Sequence, residues 1–319
     1  MEPTVVNKKS ILIKKKNSWL KFQKALCKNY DLYILILPVI LYFVIFNYAP
    51  MYGVQIAFKN FIATRGIWGS PWVGLDHFQR FFKSYYFIRL LSNTLGISLY
   101  ALIIGFPAPI LLALMMNEAK NKTFKKSVQT ITYAPHFLST VVITSILISF
   151  LSPRNGIINQ ILELFGKEPV YFMAETSWFK TLYVFSGIWQ NVGWGSIIYV
   201  AALSGIDIQL YEAAMVDGAS KFKRLIYITL PFLMPTAVTL LILNVGGIMN
   251  VGFEKVFLMQ NDRNMAASDV ISTYVYRSGL LGAEFSFSSA VGLFNSVINF
   301  IVLISVNKIA RKLTETSLW

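Results

Sequence analysis

Residues 90–116 read LLSNTLGISLYALIIGFPAPILLALMM and contain no Lys, Arg, Asp or Glu. A transmembrane helix needs about 20 consecutive, mostly apolar residues to cross the hydrocarbon core of a bilayer. A charged side chain within such a segment is costly, so an uncharged run of this length is typical of a membrane span. The run therefore predicts a spanning helix.

Five other stretches share this character, and together the six predict an all-α polytopic membrane protein. The predicted spans are Leu32–Tyr52, Leu90–Met116, Ile131–Leu151, Thr181–Ser204, Phe232–Asn250 and Phe287–Asn307. Pro38 in the first span and Pro107 and Pro109 in the second predict kinks there. The chain of 319 residues is 55% hydrophobic and 14% charged, whereas a soluble domain is about 25% charged. One soluble core could not bury so much apolar surface, and a single cysteine excludes a disulfide scaffold.

The net charge of +14 is distributed unevenly between the two sets of connections. One set holds 18 basic and seven acidic residues: 1–31, 117–130, 205–231 and 308–319. The other set holds 11 basic and eight acidic residues: 53–89, 152–180 and 251–286. Because Lys and Arg near span ends favour the cytoplasmic side, both termini are predicted to be cytoplasmic. Membrane lipid is thus an expected partner and nucleic acid is not, since nucleic-acid binding needs a basic face on a soluble body.

The N-terminal segment 1–31 is predicted to be a basic cytoplasmic segment and not a cleaved signal peptide. Its Lys-rich region is long, and no small-residue cleavage site follows the apolar stretch. Lys14–Lys16 with Trp19 and Phe22 indicate either a short amphipathic helix on the inner leaflet or a solvated tail. Cys27 is expected to be a free thiol, with acylation as the alternative.

Signatures of catalysis are absent from the sequence. His77 and His136 have no second His at ligand spacing, and the chain contains no zinc-protease motif, nucleophile elbow or P-loop. No predicted span contains Lys, Arg, Asp or Glu, although proton-coupled carriers generally need an ionisable residue within the membrane. An enzyme is therefore not expected, and any transport should draw its energy from another subunit.

The connection between the fourth and fifth spans reads GIDIQLYEAAMVDGASKFKRLIYITLP over residues 205–231. Asp207 is a good N-cap for a short helix over Ile208–Val216, and Gly218 supplies the left-handed residue that ends it. Small and apolar side chains on this helix suit docking into a groove of a soluble partner. The alternative from the residues alone is a surface helix that packs on its own bundle.

This segment resembles the EAA loop of binding-protein-dependent ABC importer permeases. The matching positions, in the family's spacing, are Glu212, Ala213, Ala214, Gly218, Ile228, Leu230 and Pro231. The resemblance extends over about 90–307, which makes this range the predicted core permease domain. Residues 32–89 would then be the first span with an extracellular loop, and 308–319 a cytoplasmic tail. The stretch 244–261 is most similar to the LplB-like branch of carbohydrate permeases, which is associated with oligosaccharides that include pectin-derived ones.

The resemblance implies a transport complex in the bacterial plasma membrane. This chain would pair with a second permease subunit, bind two cytoplasmic ATPases, and receive an oligosaccharide from an extracellular lipoprotein. ATP and Mg would be held by the ATPases and no cofactor by this chain. The residues expected to couple to an ATPase are Glu212, Ala213, Ala214, Asp217, Gly218, Ile228, Leu230 and Pro231.

The predicted sugar pathway rests on amide and aromatic side chains within the spans. Sugar rings present C–H faces and hydroxyls, which suit aromatic rings and planar hydrogen-bonding groups. The predicted pathway residues are Asn191, Trp194, Tyr199, Asn244 and Asn295. The alternatives are interhelical hydrogen bonds for the amides, at about 0.6 kcal/mol each, and interfacial anchoring for Trp. Trp68, Trp72 and His77 are expected to contact the binding protein or to form a packed cap.

Two other functions are compatible with parts of the sequence. A self-sufficient secondary carrier or channel for a small polar solute could hold sodium with carbonyls and Asn or Ser side chains. A membrane scaffold without transport is the third hypothesis.

Overall fold

The structure, a computed structural model, describes residues 28–314. The predictions for Cys27 and for the rest of segment 1–27 lie outside the described residues. Within the described range the regular elements are helical, apart from one antiparallel bridge between Lys59 and Trp72. The predicted all-α class is therefore confirmed.

The chain divides into two compact units, Met1–Gln55 and Ile56–Trp319. The described part of the first unit comprises an α-helix over Tyr30–Phe43, a π-helix over Val44–Tyr48 and a short α-helix over Ala49–Met51. These continue through a 3-10 helix over Tyr52–Phe58, and together they form the first candidate span.

The second unit contains the other candidate spans. Phe87–Glu118, Lys221–Gly246 and Phe285–Lys312 are each long and apolar enough to cross a membrane. Two bent pairs raise the count to six, namely Lys122–Phe137 with Thr140–Phe150 and Thr176–Leu203 with Ile208–Val216. The six predicted spans match this upper count. We number these candidate spans one to six in chain order, with Thr176–Leu203 as span four.

Short helices make up most of the connections. They are Gly66–Gly69, Asp76–Phe82, Ile157–Leu164, Ile208–Val216, Phe253–Met259, Met265–Ser268 and Ile271–Tyr276, with a π-helix over Arg277–Leu281.

The third span is not the single helix that was predicted over Ile131–Leu151. An α-helix over Lys122–Tyr133 and a 3-10 turn over Ala134–Phe137 come first, and the chain then bends by 102° into Thr140–Phe150. Pro135 has no amide hydrogen to donate, and Leu138 is extended with ψ 136°. Ser139 then caps the new helix by accepting a hydrogen bond from the amide of Val142 at 3.3 Å.

Widened turns precede three of the prolines in the spans. A π-helix ends two residues before each: Val44–Tyr48 before Pro50, Ala101–Gly105 before Pro107, and Leu225–Thr229 before Pro231. A proline ring collides with the carbonyl four residues earlier in an α-helix, and a π turn displaces that carbonyl. The break predicted at Pro107 takes this form, whereas Pro38 lies inside the helix Tyr30–Phe43 and the kink predicted there stays a prediction.

A buried carboxylate fixes the connection between spans five and six. The side chain of Asp269 is fully buried and accepts hydrogen bonds from Arg277 at 2.8 and 2.9 Å and from Arg89 at 3.0 Å. Asn93 of span two donates to the backbone oxygen of Asp269 at 3.1 Å. Segment 253–284 is thereby held against the start of span two.

Candidate functional site

A cavity of about 530 Å³ lies between spans two, four and five. Small side chains on facing helices leave the space open, among them Ser98, Ala101 and Gly105 on span two and Gly187 and Gly195 on span four. The larger residues of the wall are Leu102, Phe106, Pro109, Tyr183, Val184, Ile188, Asn191, Val192, Ile198, Tyr199, Leu240, Asn244, Ile248 and Asn250. The site is therefore mostly apolar with a few amide and hydroxyl groups, the usual character of a small-molecule pocket.

Three of the five predicted pathway residues line this cavity: Asn191, Tyr199 and Asn244. Asn191 donates to the carbonyl of Gly187 at 3.0 Å, and its Oδ1 lies 3.0 Å from Nδ1 of His136. Asn244 donates to the carbonyl of Leu240 at 2.8 Å. The cavity thus places three predicted polar side chains from two spans around one space.

The other two predicted pathway residues lie outside the cavity wall. Trp194 stacks on His136, with ring centroids 4.5 Å apart and planes 4° from parallel. Asn295 donates to Oδ1 of Asn250 at 2.9 Å, and Asn299 donates to the same oxygen at 3.0 Å. Asn295 therefore makes the interhelical hydrogen bond that was the alternative for it.

Sequence reasoning did not select two residues of this site, Asn250 and His136. Asn250 lines the cavity, and its Oδ1 accepts hydrogen bonds from the side-chain amides of Asn295 and Asn299 of span six. The sequence does contain a signal for Asn250, because Asn295 and Asn299 are four residues apart on one helical face and such a pair predicts a shared hydrogen-bond partner. No comparable signal existed for His136, because its position depends on the unpredicted bend in span three.

The short helix Ile208–Val216, called the EAA helix below, has the predicted local structure. Oδ1 of Asp207 caps it by accepting a hydrogen bond from the amide of Gln209 at 2.9 Å. Gly218 ends it with φ +74°, a left-handed conformation that side chains with a Cβ rarely adopt. The amide of Gly218 donates to the carbonyl of Met215 at 3.1 Å, so the turn is closed by a hydrogen bond.

The EAA helix presents an apolar surface without a partner in the described chain. Ile208 is 69% exposed, Met215 52% and Val216 88%. Glu212 and Ala213 are also exposed. Large apolar side chains exposed together in this way mark an interaction site.

The opposite face of the EAA helix is fixed to spans four and five. The hydroxyl of Tyr211 lies 2.9 Å from Oγ1 of Thr229. Tyr211 and Ile228 pack on a cluster whose buried members include Tyr199 and Leu233. Movement of the helix would therefore be transmitted to the same spans that line the cavity.

The remaining predicted coupling residues lie along the same connection. Asp217 is the exposed C-cap of the EAA helix, and Leu230 and Pro231 begin the main helix of span five. The structure places them near the helix but gives them no individual role.

The aromatic residues of the first loop divide into packed and exposed groups. Trp72 stacks on Phe58 at 5.9 Å, and Nζ of Lys59 lies 5.7 Å from its ring centroid. His77 is bonded to the carbonyl of Lys59 at 3.1 Å, whereas Trp68 is largely exposed. Trp72 and His77 thus pack within the loop.

The six candidate spans, the central cavity and the EAA helix define a membrane permease. The chain belongs to the family of binding-protein-dependent transport system inner membrane components, whose family model matches residues 105–315. It is therefore a multi-pass membrane protein, and the resemblance to ABC importer permeases is confirmed.

Its relatives include two proteins of Bacillus subtilis (strain 168). Protein LplB is 40% identical over 316 residues, which cover 99% of both chains. The polygalacturonan/rhamnogalacturonan transport system permease protein YteP is 41% identical over 310 residues, which cover 97% of this chain and 96% of YteP. The predicted similarity to the LplB-like branch is confirmed by these matches.

Comparison with solved structures also gives matches to chains of an ABC transporter. A chain of the bacterial ABC transporter that imports the acidic polysaccharide alginate matches with a TM-score of 0.86 and 42% identity. The match covers 92% of this chain and 99% of the transporter chain. An equally similar chain comes from that transporter in complex with an alginate pentasaccharide-bound periplasmic protein.

Proposed function

We propose that this chain is the permease subunit of an ATP-driven importer of acidic oligosaccharides that a separate extracellular protein delivers. The observation that carries this proposal is the cavity between spans two, four and five, whose wall combines tyrosine rings with amides. Full-length similarity to a polygalacturonan/rhamnogalacturonan permease and to an alginate importer supports an acidic sugar as the substrate.

The EAA helix is the proposed docking site for a cytoplasmic ATPase. Its exposed apolar residues and Glu212 would enter a groove of the ATPase, which would bind ATP and Mg. The excess of basic residues on the connections of this side supports a cytoplasmic location for the helix and for both chain termini. A second permease subunit would complete the pathway, and a second ATPase would bind that subunit.

The proposed mechanism uses the fixed face of the EAA helix. Closure of the ATPase pair would displace the helix, and the Tyr211–Thr229 contact would carry that displacement to span five. Spans four and five would then move against span two and open the cavity alternately to each side. This chain would thus supply the pathway and the coupling surface, and the ATPases would supply the energy.

A secondary carrier or channel for a small polar solute is the competing function. Proton-coupled carriers generally use an ionisable side chain within the membrane. Among the described residues, those that line the cavity include no Asp, Glu, Lys, Arg or His. This composition favours an external source of energy.

Reconstitution in liposomes tests the proposed function. The chain with its second permease, ATPases and binding protein should take up oligogalacturonide only when ATP is present on the ATPase side. The chain alone should give no flux with a sodium or proton gradient. Gradient-driven uptake by the chain alone would instead establish the carrier.

Filling the cavity should stop uptake without loss of the ATPase. Ala101 lines the cavity from span two, and Ala101→Trp would place a large ring in that space. We expect ATP-dependent uptake to fall at least tenfold while the ATPase still copurifies with the permease. Leu111→Trp is the matched control, because Leu111 lies on the same span and is exposed outside the cavity. Equal uptake by the two variants would contradict the assignment of the cavity as the pathway.

A further inference from the structure

Lys255 is a buried cation without an anionic partner. Its side chain belongs to the helix Phe253–Met259, and the residue is 8% exposed. The ion pairs among residues 28–314 join Arg80 to Glu284 and join Arg89 and Arg277 to Asp269, so none includes Lys255. A buried charge of this kind is costly unless it is paired or hydrogen-bonded.

The ammonium of Lys255 has capacity for a further acceptor. Nζ donates to the carbonyl of Tyr183 at 2.9 Å and lies 4.8 Å from the centroid of the Tyr183 ring. An ammonium group has three donors, and this is its one hydrogen bond in the structure. Burial lowers the pKa of Lys255 to about 8, which reflects the loss of water without a compensating negative charge.

This ammonium lies directly behind the wall of the cavity. Tyr183 and Gly187 both line the cavity from span four. A Cβ built on Gly187 would be 3.3 Å from Nζ of Lys255, so a larger residue at this position would crowd the ammonium. Nζ thus lies against two residues of the cavity wall, although Lys255 itself is not among the residues that line the cavity.

A second lysine lies on the same side of span four, nearer the end that is remote from the EAA helix. Lys180 precedes Tyr183 and Val184 by one helical turn, and a Cβ built on Gly96 would be 2.8 Å from its Nζ. Lys180 and Gly187 are separated by about 10 Å along the helix, at 1.5 Å per residue. Lys180 and Lys255 thus both lie beside span four, and neither lines the cavity itself.

We propose that Lys255 determines the specificity of this permease for acidic sugars by attracting a substrate carboxylate to the cavity wall at Tyr183 and Gly187 as the oligosaccharide enters the cavity. This inference rests on the proposed function of import and goes beyond it by assigning the residue that distinguishes uronate units from neutral ones. A carboxylate at this wall suits Lys255, because it would bring a negative charge near a buried ammonium that has no anionic partner among residues 28–314.

The test compares acidic and neutral substrates in the complete reconstituted complex. The probes are trigalacturonate and its carboxyl-reduced form, in which each carboxylate is replaced by a CH2OH group. Lys255→Met should lower ATP-dependent uptake of trigalacturonate about tenfold, equivalent to about 1.4 kcal/mol. Uptake of the carboxyl-reduced sugar should change less than about twofold. Lys255→Arg keeps the charge and should keep more of the acidic preference than Lys255→Met.

Control variants and assembly measurements separate this role from a structural one. Lys83→Met removes an exposed lysine of the first loop and should leave both uptake rates unchanged. Copurification with the ATPases shows whether each variant assembles. An equal loss of both substrates in Lys255→Met, or the same preference in the Met and Arg variants, would overturn the inference.

Uptake of the two sugars by the wild-type complex distinguishes a failure of the role proposed for Lys255 from a failure of the proposed import function. Import of the neutral sugar with no preference for trigalacturonate would overturn the role of Lys255 and leave ATP-driven import in place. Absence of ATP-dependent uptake for both sugars would overturn the proposed function, and the inference with it.

Discussion

Gly218→Pro is expected to abolish both ATPase binding and ATP-dependent uptake while the permease still inserts into the membrane. Proline fixes φ near −65°, whereas Gly218 has φ +74°. The substitution also removes the amide that donates to the carbonyl of Met215. The EAA helix would lose its C-terminal turn, and its exposed apolar face would no longer be aimed at the ATPase.

Gly166→Pro provides a closely matched control for Gly218→Pro. Gly166 also ends a short helix, Ile157–Leu164, with φ +68°, and its amide donates to the carbonyl of Glu163 at 2.9 Å. Candidate span four separates the two connections, so we expect them to lie on opposite sides of the membrane. We expect the ATPase to copurify with Gly166→Pro and not with Gly218→Pro. Normal ATPase copurification and uptake for Gly218→Pro would refute the coupling role of this helix.

Asp269→Asn is expected to cause the largest loss of folding stability, about 3–5 kcal/mol, which is typical when one partner of a buried ion pair is removed. The variant keeps the shape of the side chain but leaves Arg89 and Arg277 without a negative charge between them. Unfolding of the purified permease in detergent, followed by temperature or denaturant, measures this loss.

An exposed ion pair of similar length serves as the control. Arg80 and Glu284 are 2.7 Å apart with side chains that are 55% and 39% exposed. Pairs of this kind contribute about 0–1 kcal/mol, so Glu284→Gln should have little effect. If Asp269→Asn cost no more than Glu284→Gln, the buried network would not be what holds segment 253–284 in place.

The sequence predicted the elements that depend on local composition. Uncharged runs located the spans, because the cost of burying charge is a property of each segment alone. Capping chemistry located the EAA helix to the residue, since Asp207 and Gly218 act on their own neighbouring backbone groups. The uneven distribution of basic residues between the two sets of connections predicts the orientation by the same kind of local rule, and that orientation stays a prediction.

The features that the sequence did not predict depend on contacts between residues far apart in the chain or on the angles between successive helices. Hydropathy reports that 131–151 is apolar but not that it bends by 102° at Pro135–Ser139. The separation of Trp194 from the cavity follows from that bend, because it brings His136 against the indole ring. Lys255 was counted as a connection residue, and only the folded chain shows that it lies beside Tyr183 and Gly187.

The π turns that precede Pro50, Pro107 and Pro231 have a consequence for the length of the spans. A π turn closes hydrogen bonds between residues five apart, so it is an α-helix with one extra residue. Deleting one residue from Leu225–Thr229 together with Pro231→Ala would restore a regular helix, and every later side chain of span five would keep its direction. Deleting one residue elsewhere in that span would turn the following residues by about 100°. Loss of Pro231 or of the extra residue alone is therefore expected to disturb span five more than loss of both together.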